Sequence, residues 1–488
     1  MEKLKQNKLF SATVLVLSFL LLAVCLCNTN SVNADAASGD CGATDSDSVR
    51  WSFDSGTGEL NITGSGAMKD FGVMYNKTQA PWGGYYKDIR TVMIGDKVTA
   101  IGAYAFYNTS IETLSIGNKV KNIANSAFTN CDKLKEITIP DSVTNIGRDA
   151  FYDCDGFTRL VIPDSVKSIG EAAFARCSSL ESVSIGNGIT VIEYDTFFYC
   201  AELSIVTLGS RITDIGKTAF KDCAKIKSIA IPDSVKVIRE SAFAYTSLEN
   251  ITLPDSVVYI GDGAFQYTDY YDESSNWENG VLYIGKHLIS VKSSLSGAYS
   301  VKEGTLVIAA YAFNPCDAAV TEIVIPESVV SINDHAFYMC SSLSSIYIPK
   351  GVRSIGADAF ANCFSLTRVE FENPNDWWVT DDLYGTSGAA VDVSEPQKAA
   401  ESLMGDYCGY YWNQGTAIIG DNTPDGDEPP GGIGIPDNDG NQTGEGKPDS
   451  GSGTGKKKGC GGADAASLFI TVLVPILGLA VVKRVFVV

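Results

Sequence analysis

Few side chains in this chain could carry acid–base chemistry. Its 488 residues include only two histidines, His287 and His335. His335 precedes a recurring Ala-Phe pair, at a position that other copies fill with residues such as Tyr104 or Asp149. We therefore expect a surface substitution there and not a general base. His287 lies in an irregular stretch of sequence, and we expect it to be exposed to solvent.

The motifs of common catalytic and metal-binding sites do not occur in the sequence. It contains no G-x-S-x-G, P-loop or H-E-x-x-H pattern. The segment 437–442 resembles the start of a calcium-binding loop, but Gln442 stands where that loop requires glycine. Asp269, Asp272 and Glu273 are carboxylates that a hydrolase of wall polymers could use, although their spacing does not require this. We predict that the chain is not an enzyme and holds no cofactor and no metal.

The cysteines are the most regularly spaced reactive side chains. Eight of the 13 follow a recurring phenylalanine by three residues: Cys131, Cys154, Cys177, Cys200, Cys223, Cys316, Cys340 and Cys363. Thr109, Thr246 and Thr268 replace cysteine at this position, which indicates a pocket for a small, half-polar side chain. We predict a ladder of buried free thiols in preference to disulfides or a metal site. Cys41 and Cys408 lie outside the ladder and are candidates for a disulfide between the two ends, although the sequence does not fix their pairing.

The phenylalanines that set this spacing recur with a period close to 23 residues. We predict that they form the core, and they are Phe106, Phe128, Phe151, Phe174, Phe197, Phe220, Phe243, Phe265, Phe313, Phe337 and Phe360. The gap from Phe265 to Phe313 is about two periods. It therefore predicts one degenerate repeat with an insertion at 266–312.

Each repeat has the pattern of one coil of a solenoid, as in LKEITIPDSVTNIGRDAFYDC (134–154). Leu134, Ile137 and Ile139 follow the spacing of a short strand whose apolar side chains point inward. Proline and aspartate then end the strand in a turn, and Gly147 allows the next bend. Phe151 fills the middle of the coil. Because one coil cannot close a core alone, we predict a stack of mainly β coils with short helical turns at the Ala-Phe segments.

The two ends of the chain predict export and anchoring. Lysines precede an apolar run at 9–26, and small residues at 34–36 predict cleavage near Ala36, with lipidation at Cys25 or an uncleaved anchor as alternatives. The run 465–482 carries no charge and spans roughly 27 Å as a helix, close to the ~30 Å hydrocarbon core of a bilayer. The preceding segment is rich in Gly, Pro and Asp and buries too little apolar surface to fold, so it predicts a flexible linker.

The repeat unit IPDSVxxIGxxAFxxC resembles the BspA-like leucine-rich repeats of bacterial surface proteins, which also occur in some parasitic protists. The resemblance covers 92–371. The segments at 41–71 and 377–412 are similar to the small β cap that opens such arrays and to the segment that closes them. The resemblance implies a leucine-rich-repeat solenoid on a cell surface. It also implies adhesion to host proteins such as fibronectin and fibrinogen, or contact between cells.

These patterns together predict six segments along the chain. They are a signal peptide (1–36), an N-terminal β cap (37–91), a leucine-rich-repeat solenoid (92–371), a C-terminal capping segment (372–420), a flexible linker (421–462) and a transmembrane anchor with a short basic tail (463–488). The expected location is the surface of a bacterial cell, with the repeats outside and the C-terminal segment in the plasma membrane.

Two surfaces are candidates for binding a partner. The first is the outward face of the strands, with the candidate residues Glu136, Thr138, Arg159, Thr207, Asn250, Thr252, Tyr347, Arg368 and Glu370. In-register columns of such residues form a broad face that suits an extended partner. The second is an aromatic loop in the insertion, because insertions in repeat proteins often lie on the binding face; its candidate residues are Tyr267, Tyr270, Tyr271 and Trp277.

The overall charge limits the class of partner. The 58 acidic and 37 basic residues give a net charge of −21, which would repel nucleic acid. We expect extracellular or host matrix proteins or other cell surfaces as partners, in adhesion or recognition without catalysis. The alternatives are a structural surface-layer or spacer protein that has no specific ligand, and a cell-envelope hydrolase.

Overall fold

The computed structural model describes residues 37–314 and 320–419. The predicted signal peptide (1–36), linker (421–462) and membrane anchor (463–488) lie outside the described residues, as do Cys316 and the segment 437–442. Among the residues that are described, no helix is long and apolar enough to cross a membrane.

The described chain separates into two compact units, one with residues 37–290 and 304–310 and the other with residues 291–303, 311–314 and 320–419. Both consist mainly of short strands. In chain order the strands are β1 (Ala37–Asp40), β2 (Arg50–Asp54), β3 (Glu59–Thr63), β4 (Gly66–Ala67), β5 (Val73–Met74), β6 (Lys77–Thr78), β7 (Thr91–Ile94), β8 (Val98–Ile101), β9 (Thr113–Ser115), β10 (Asn122–Ile123), β11 (Asn145–Ile146), β12 (Arg159–Ile162), β13 (Ser168–Ile169), β14 (Ser182–Ile185), β15 (Val191–Ile192), β16 (Ile205–Thr207), β17 (Asp214–Ile215), β18 (Val237–Ile238), β19 (Tyr259–Ile260), β20 (Trp277–Glu278), β21 (Val281–Ile284), β22 (His287–Val291), β23 (Gly297–Ser300), β24 (Val307–Ile308), β25 (Val320–Val324), β26 (Ser331–Ile332), β27 (Ser345–Ile348), β28 (Ser354–Ile355), β29 (Arg368–Phe371), β30 (Trp377–Thr380), β31 (Ala389–Ala390) and β32 (Tyr411–Gln414).

Helical structure in the described residues is scarce. It consists of α1 (Asp269–Asp272), α2 (Pro396–Glu401), a π-helix at Ser402–Asp406 and 3₁₀ turns at Gly83–Tyr85 and Ser274–Asn276. The predicted solenoid of mainly β coils is therefore confirmed.

Strands of successive coils pair in parallel, about one repeat apart. In the first unit, β1, β2 and β3 are antiparallel, and β3 then pairs in parallel with β7, which pairs with β9. Farther along, β12, β14 and β16 pair in parallel, with Leu160 opposite Val183. On the next side of each coil, β8, β10, β11 and β13 form a second parallel series. A coil that forms strands on both sides thus adds one strand to each of two stacks.

Burial alternates along these strands as their sequence pattern predicts. In β12, Leu160 and Ile162 are buried, whereas Arg159 and Val161 are exposed. Pro163 follows, and its carbonyl accepts a hydrogen bond from Val166 N at 3.2 Å, which closes the turn. A proline here has no N–H that a ladder would need, so the strand ends and the chain turns toward the next side of the coil.

The Ala-Phe segments are turns and not the short helical turns that the sequence suggested. The residue before each Ala-Phe pair has a left-handed backbone, as Asp149 does with φ 53°, and so does the second residue after the phenylalanine, as Asp153 does with φ 58°. A left-handed residue interrupts a right-handed helix. The expectation of helix at these segments was therefore wrong.

This backbone alternation directs hydrogen bonds both within and between coils. Asp149, Phe151 and Asp153 donate their N–H groups to carbonyls of the next coil, with N···O distances of 3.0, 2.8 and 2.9 Å. The residues between them donate within their own coil, since Ala150 N bonds Gly147 O at 3.3 Å and Tyr152 N bonds Asp149 O at 3.1 Å. The turn thus satisfies its buried backbone groups and joins neighbouring coils.

The phenylalanine rings form one stack in each unit. In the first unit, neighbouring rings from Phe106 to Phe265 have centroids 5.1–5.8 Å apart and nearly parallel planes. Trp82 stacks on Phe106 at 5.6 Å, and its Nε1 donates to Ala105 O at 2.9 Å. In the second unit, Phe337 lies 5.0 and 5.2 Å from its two ring neighbours. The rings are at most 1% exposed, so the repeated phenylalanines form the core.

Glycine in the repeat allows close approach of the neighbouring coil. A Cβ atom on Gly147 would lie 2.6 Å from Asn125 N and 2.8 Å from Ala124 C, both backbone atoms of the preceding coil. Its φ is not positive, so the bend expected at this position does not by itself require glycine. Close contact between coils is the physical reason for glycine there.

Parallel stacking in the second unit ends at an antiparallel strand. β32 pairs with β28 in antiparallel orientation, with Trp412 opposite Ile355, and β30 pairs with β32. Trp377 and Trp412 are buried, and their indole N–H groups donate to Asn373 O at 2.9 Å and Tyr407 O at 3.1 Å. These aromatic side chains cover the last coil from its open side.

We predict that Phe174→Ala destabilises the protein strongly. The ring is fully buried between Phe151 and Phe197, so the change should lower the free energy of unfolding by about 3–5 kcal/mol. Urea denaturation followed by circular dichroism measures this. The matched control is Phe364→Ala, because Phe364 is 77% exposed, and it should change the stability by less than about 0.5 kcal/mol. Equal effects of the two changes would contradict the stacked core.

Candidate functional site

The predicted strand-face residues are all exposed. In the first unit these are Glu136, Thr138, Arg159, Thr207, Asn250 and Thr252, and in the second unit Tyr347, Arg368 and Glu370. The parallel register brings two of them together, since Tyr347 lies opposite Glu370. Arg159 aligns with Ser182 and then with Ile205, which are not in the predicted set. Asn250 and Thr252 lie outside the strands.

The strand face of the first unit is interrupted at three coils, at 134–139, 226–232 and 248–253. The sequence predicts a strand at Leu134–Ile139, but the structure has none there, and Ile137 is only half-buried. Lys135 N still donates to Glu112 O at 3.2 Å. Among the described residues, the backbone of 136–139 forms no ladder with β9 or β12. Alternation of apolar residues therefore predicted which side chains are buried, but not whether the strand pairs.

A surface groove of about 300 Å³ lies beside the interruption at 134–139. It is lined by Lys135, Glu136, Ile137, Thr138, Thr158, Arg159 and Val161. Three of these residues, Glu136, Thr138 and Arg159, belong to the predicted binding face. The groove therefore combines apolar side chains, two threonine hydroxyls, charged groups and backbone groups outside any ladder. We define it as the strand-face groove.

The charges around the strand-face groove differ in their partners. Lys135 Nζ donates to Glu112 Oε2 at 2.6 Å, and this contact lowers the pKa of the Glu112 carboxyl below its usual value. Glu136 and Arg159 form no ion pair with any described residue. One exposed anion and one exposed cation are thus available to a ligand on the two walls of the groove.

The aromatic insertion packs against the molecule more than the sequence suggested. Tyr267 is 47% exposed, but Tyr270, Tyr271 and Trp277 are half-buried against the core. Tyr270 Oη donates to Tyr283 O at 2.9 Å, and Trp277 Nε1 donates to Tyr271 O at 2.7 Å. These three rings do not project into solvent, because the polar atoms of Tyr270 and Trp277 bond backbone carbonyls and the rings pack against apolar surface.

The acidic residues of the insertion do not form a metal cluster. Asp269 and Asp272 belong to the short α1 helix, and Glu273 Oε1 accepts a hydrogen bond from Ser275 N at 3.0 Å. In the part of the chain that the structure describes, no group of three His, Cys, Asp or Glu side chains is placed to hold a metal ion.

The described cysteines of the repeat position are buried thiols that form no disulfide, and they are Cys131, Cys154, Cys177, Cys200, Cys223, Cys340 and Cys363. Cys154 Sγ donates to Phe128 O of the preceding coil at 3.1 Å. Thr246 Oγ1 instead donates to Phe243 O of its own coil at 2.8 Å. Both side chains give a hydrogen bond to a buried phenylalanine carbonyl. This shared role explains why threonine can replace cysteine.

Burial also decides the chemistry of the thiols. It raises the pKa of Cys363 to about 12 and that of Cys154 well above its usual value. Desolvation, together with the neighbouring Asp40 carboxylate, raises the pKa of Cys41 to about 12. The thiolate is the nucleophilic form, so these cysteines are unreactive near neutral pH.

The possible disulfide between Cys41 and Cys408 does not form. Cys41 is a free, buried thiol, whereas Cys408 is disulfide-bonded. The spacing of these cysteines along the chain held no information on which thiols meet in space.

Both histidines have structural surroundings. His287 is fully buried, and the expectation that it is exposed was wrong. Its Nδ1 lies 3.1 Å from Ile284 O and its Nε2 lies 3.2 Å from Val257 O. Burial lowers its pKa. A neutral imidazole can donate to only one of the two carbonyls, so this ring joins two backbone segments and is not available to substrate.

His335 lies in the left-handed position before Ala-Phe, with φ 54°. It is half-buried, and its ring stacks on Tyr311 with centroids 4.4 Å apart. Its Nε2 lies 3.7 Å from Asp358 Oδ2, and burial lowers its pKa. The same position is occupied by Tyr311 and Asp358 in neighbouring coils. This supports a substituted turn position in preference to a general base.

A family model for the BspA type leucine rich repeat region matches this chain in six copies, over residues 99–226, 144–272 and 306–377. The matched residues make up more than half of the chain. The protein belongs to the BspA-type leucine-rich-repeat family. This confirms the resemblance that the repeat unit indicated. No curated protein matches the chain significantly.

Several solved structures are similar to this BspA-type protein. A leucine-rich repeat protein from Bacteroides ovatus is 24% identical, with 66% of this chain and 86% of that one covered and a TM-score of 0.34. One from Eubacterium ventriosum is 19% identical, with coverages of 71% and 98% and a TM-score of 0.34. A leucine rich cell surface protein from Faecalibacterium prausnitzii is 24% identical, with coverages of 69% and 96% and a TM-score of 0.29.

We predict that Cys154, Cys177 and Cys363 resist alkylation in the folded protein. Burial raises the pKa of these three thiols, so iodoacetamide at pH 8 should leave them unlabelled, while guanidinium-unfolded protein is labelled fully. Peptide mapping by mass spectrometry gives the readout. The control is Ser210→Cys, at an exposed position. Reaction of Cys154, Cys177 or Cys363 as fast as this added cysteine would contradict their burial.

We predict that His287 makes the protein less stable in mild acid. Because burial lowers its folded-state pKa below the value of about 6.5 expected in the unfolded chain, the unfolded state binds the proton more readily. The stability from neutral His287 is complete above pH 6.5 and is lost as the pH falls from there through the folded-state pKa. The wild type should therefore lose more stability than His287→Gln between pH 7.5 and pH 5.5. Urea midpoints at both pH values measure this, and parallel changes in the two proteins would refute it.

Proposed function

We propose that this protein is a non-catalytic recognition protein of a bacterial cell surface, which binds an extended extracellular partner along its strand face. The observation that carries the proposal is the strand-face groove. There the parallel ladder is interrupted at 136–139, and a recess of about 300 Å³ opens among predicted binding residues. An extended ligand could use backbone groups for affinity and neighbouring side chains for specificity.

The residues of the groove suit such a partner. Ile137 and Val161 offer apolar contact, and Val161 is 47% exposed. Glu136 on one wall and Arg159 on the other can pair with charges of opposite sign on the ligand. Farther along the same face, the exposed Ile205 continues the column of Arg159. A segment several residues long could therefore lie across successive coils.

The location on a cell surface rests on the family and on the two ends of the sequence. BspA-type repeats are typical of surface proteins, and the apolar runs at 9–26 and 465–482 favour export and anchoring. Many copies on one surface would convert weak contacts at each groove into high avidity. Adhesion to host matrix proteins or to neighbouring cells is the role that best fits this arrangement.

We predict that Thr138→Arg abolishes such binding. The full-length protein is tested against immobilised fibronectin and fibrinogen by surface plasmon resonance, where saturable binding is expected. A long side chain at Thr138 fills the strand-face groove and should raise the Kd at least about tenfold. Thr57→Arg is the matched control, because Thr57 is exposed at the turn between β2 and β3, and its Kd should match the wild type.

The other outcomes distinguish the alternatives. Saturable binding that Thr138→Arg leaves unchanged rejects the groove as the site. Absence of binding to matrix proteins and to neighbouring cells, together with altered envelope integrity on deletion of the gene, favours a structural surface-layer or spacer protein.

A further inference from the structure

A small hairpin in the first unit exposes consecutive apolar residues. It is formed by β5 and β6, which are antiparallel with Met74 opposite Lys77. Val73 is 38% exposed, Met74 51% and Tyr75 89%. Three exposed apolar residues in a row are unfavourable in a soluble surface unless they contact something. We define residues 72–79 as the hairpin knob.

The turn of the hairpin knob contains a residue that this type of turn does not favour. Tyr75 and Asn76 occupy its two central positions with φ of 50° and 58°. A two-residue hairpin turn of this type favours Asn-Gly or Asp-Gly, because both positions need positive φ. Tyrosine at the first position strains the backbone by about 1 kcal/mol. A large aromatic side chain is thus held at the tip although a smaller residue would suit the turn better.

Hydrogen bonds join the knob to the first repeat coil. Asn108 Nδ2 donates to Asn76 O at 2.6 Å, and Tyr107 Oη donates to Asn76 Oδ1 at 3.2 Å. At the base, Gln79 N donates to Gly72 O at 2.8 Å. An isolated hairpin is only marginally stable in water, so these contacts fix its position. An exposed Met-Tyr pair resembles the anchors that dominate protein interfaces.

The charge around the knob is opposite to that of the chain. Residues 66–87 carry Lys69, Lys77 and Lys87 and one acidic residue, Asp70, for a local charge of +2, whereas the whole chain has −21. The remainder of the chain therefore carries −23 (−21 minus +2). The acidic surface of another copy is complementary to this basic rim, and copies on one cell surface meet at high local concentration.

The first unit also contains a row of crowded carboxylates. Asp149 and Asp195 occupy the left-handed position two residues before Phe151 and Phe197. Glu171 lies on the coil between them, and Glu193 lies on the coil of Asp195. Arg148 contacts two of them, with its Nε 3.5 Å from Asp149 Oδ2 and its Nη1 3.6 Å from Glu171 Oε2. Burial, followed by repulsion from neighbouring carboxylates, raises the pKa of Glu193. A lysine arriving from outside would relieve this repulsion.

We propose that the hairpin knob is a docking element for a second copy of this chain, with Met74 and Tyr75 as apolar anchors and the surrounding lysines directed at the carboxylate row. The contact is head-to-tail, since the knob and the row are different surfaces of one molecule. Such an interface leaves a free knob and a free row after each association. It is separate from the strand-face groove and does not depend on the proposed function.

The test measures binding between full-length copies, one immobilised and one in solution, by surface plasmon resonance. Saturable wild-type association is expected, weakened at least about fivefold by 0.5 M NaCl. Met74→Ser with Tyr75→Ser in both copies should raise the Kd at least about tenfold. The matched control is Met339→Ser with Tyr245→Ser, at residues that are 40% and 47% exposed, and its Kd should remain that of the wild type.

Charge complementation tests whether the knob of one copy meets the carboxylate row of the other. Lys77→Glu paired with itself, and Glu171→Lys paired with itself, should both bind weakly. Lys77→Glu immobilised against Glu171→Lys should bind more tightly than either, because the intact Lys77 meets the intact Glu171 and the reversed pair is again of opposite sign. Failure of this mixed pair to exceed both self-pairs overturns the contact between knob and row.

Three further results would overturn the proposal. The first is an absence of wild-type association at 200 μM protein. The second is association that the knob variant leaves intact. The third is binding to vesicles of phosphatidylcholine and phosphatidylglycerol that is lost on Met74→Ser with Tyr75→Ser, which would assign the knob to a lipid surface. Thr138→Arg should leave self-association unchanged, so failure here is distinguishable from failure of the strand-face groove.

Discussion

The stack of coils depends on one hydrogen bond that recurs at the phenylalanine turns from Phe106 to Phe243 and again at Phe313 and Phe337. The N–H of the phenylalanine donates to the carbonyl of the residue before the next phenylalanine, as Phe151 does to Ala173 and Phe220 to Ala242, each at 2.8 Å. The bond fixes the distance between coils at the point where the rings meet, so the rings stack. It requires a left-handed residue on each side, such as Asp149 and Asp153. The cost of about 1–2 kcal/mol for each such residue is offset by buried backbone bonds and by continuous ring contact.

Much of this architecture could be predicted from the sequence, because it depends on side-chain type at fixed spacing. The recurrence of Phe151 and its equivalents indicated the core, and alternation in strands such as Arg159–Ile162 indicated which side chains face inward. Replacement of cysteine by Thr246 indicated a small polar pocket. The backbone conformation was harder to predict, since left-handed positions hold residues as different as Ala172 and Thr218. Asp and Asn are enriched at these positions, and this enrichment is the sequence signal for a left-handed backbone.

The candidate site was less predictable for a physical reason. Spacing shows which side chains share a column, but pairing of backbones depends on how each coil lies against its neighbours. The interruption at 136–139 therefore has no counterpart in the pattern of Leu134 and Ile139, which are buried as in paired coils. The same limit applies to His287, whose two carbonyl contacts come from Ile284 and Val257. Neither partner is marked in the sequence by residue type, because any residue supplies a carbonyl.

A repetitive interior restricts where function can arise in this protein. Inward positions are occupied by stacking rings and hydrogen-bonding thiols, so a change there affects every neighbouring coil. Specificity must then come from exposed columns or from places where the repeat is broken. The groove beside Glu136 and the knob at Tyr75 are two such places. Each departs from a local rule, since the groove has a backbone segment outside any ladder and the knob has an aromatic residue in a left-handed turn. These departures do not contribute to packing of the core. Selection for binding can therefore act at these positions without disturbing the stack of coils.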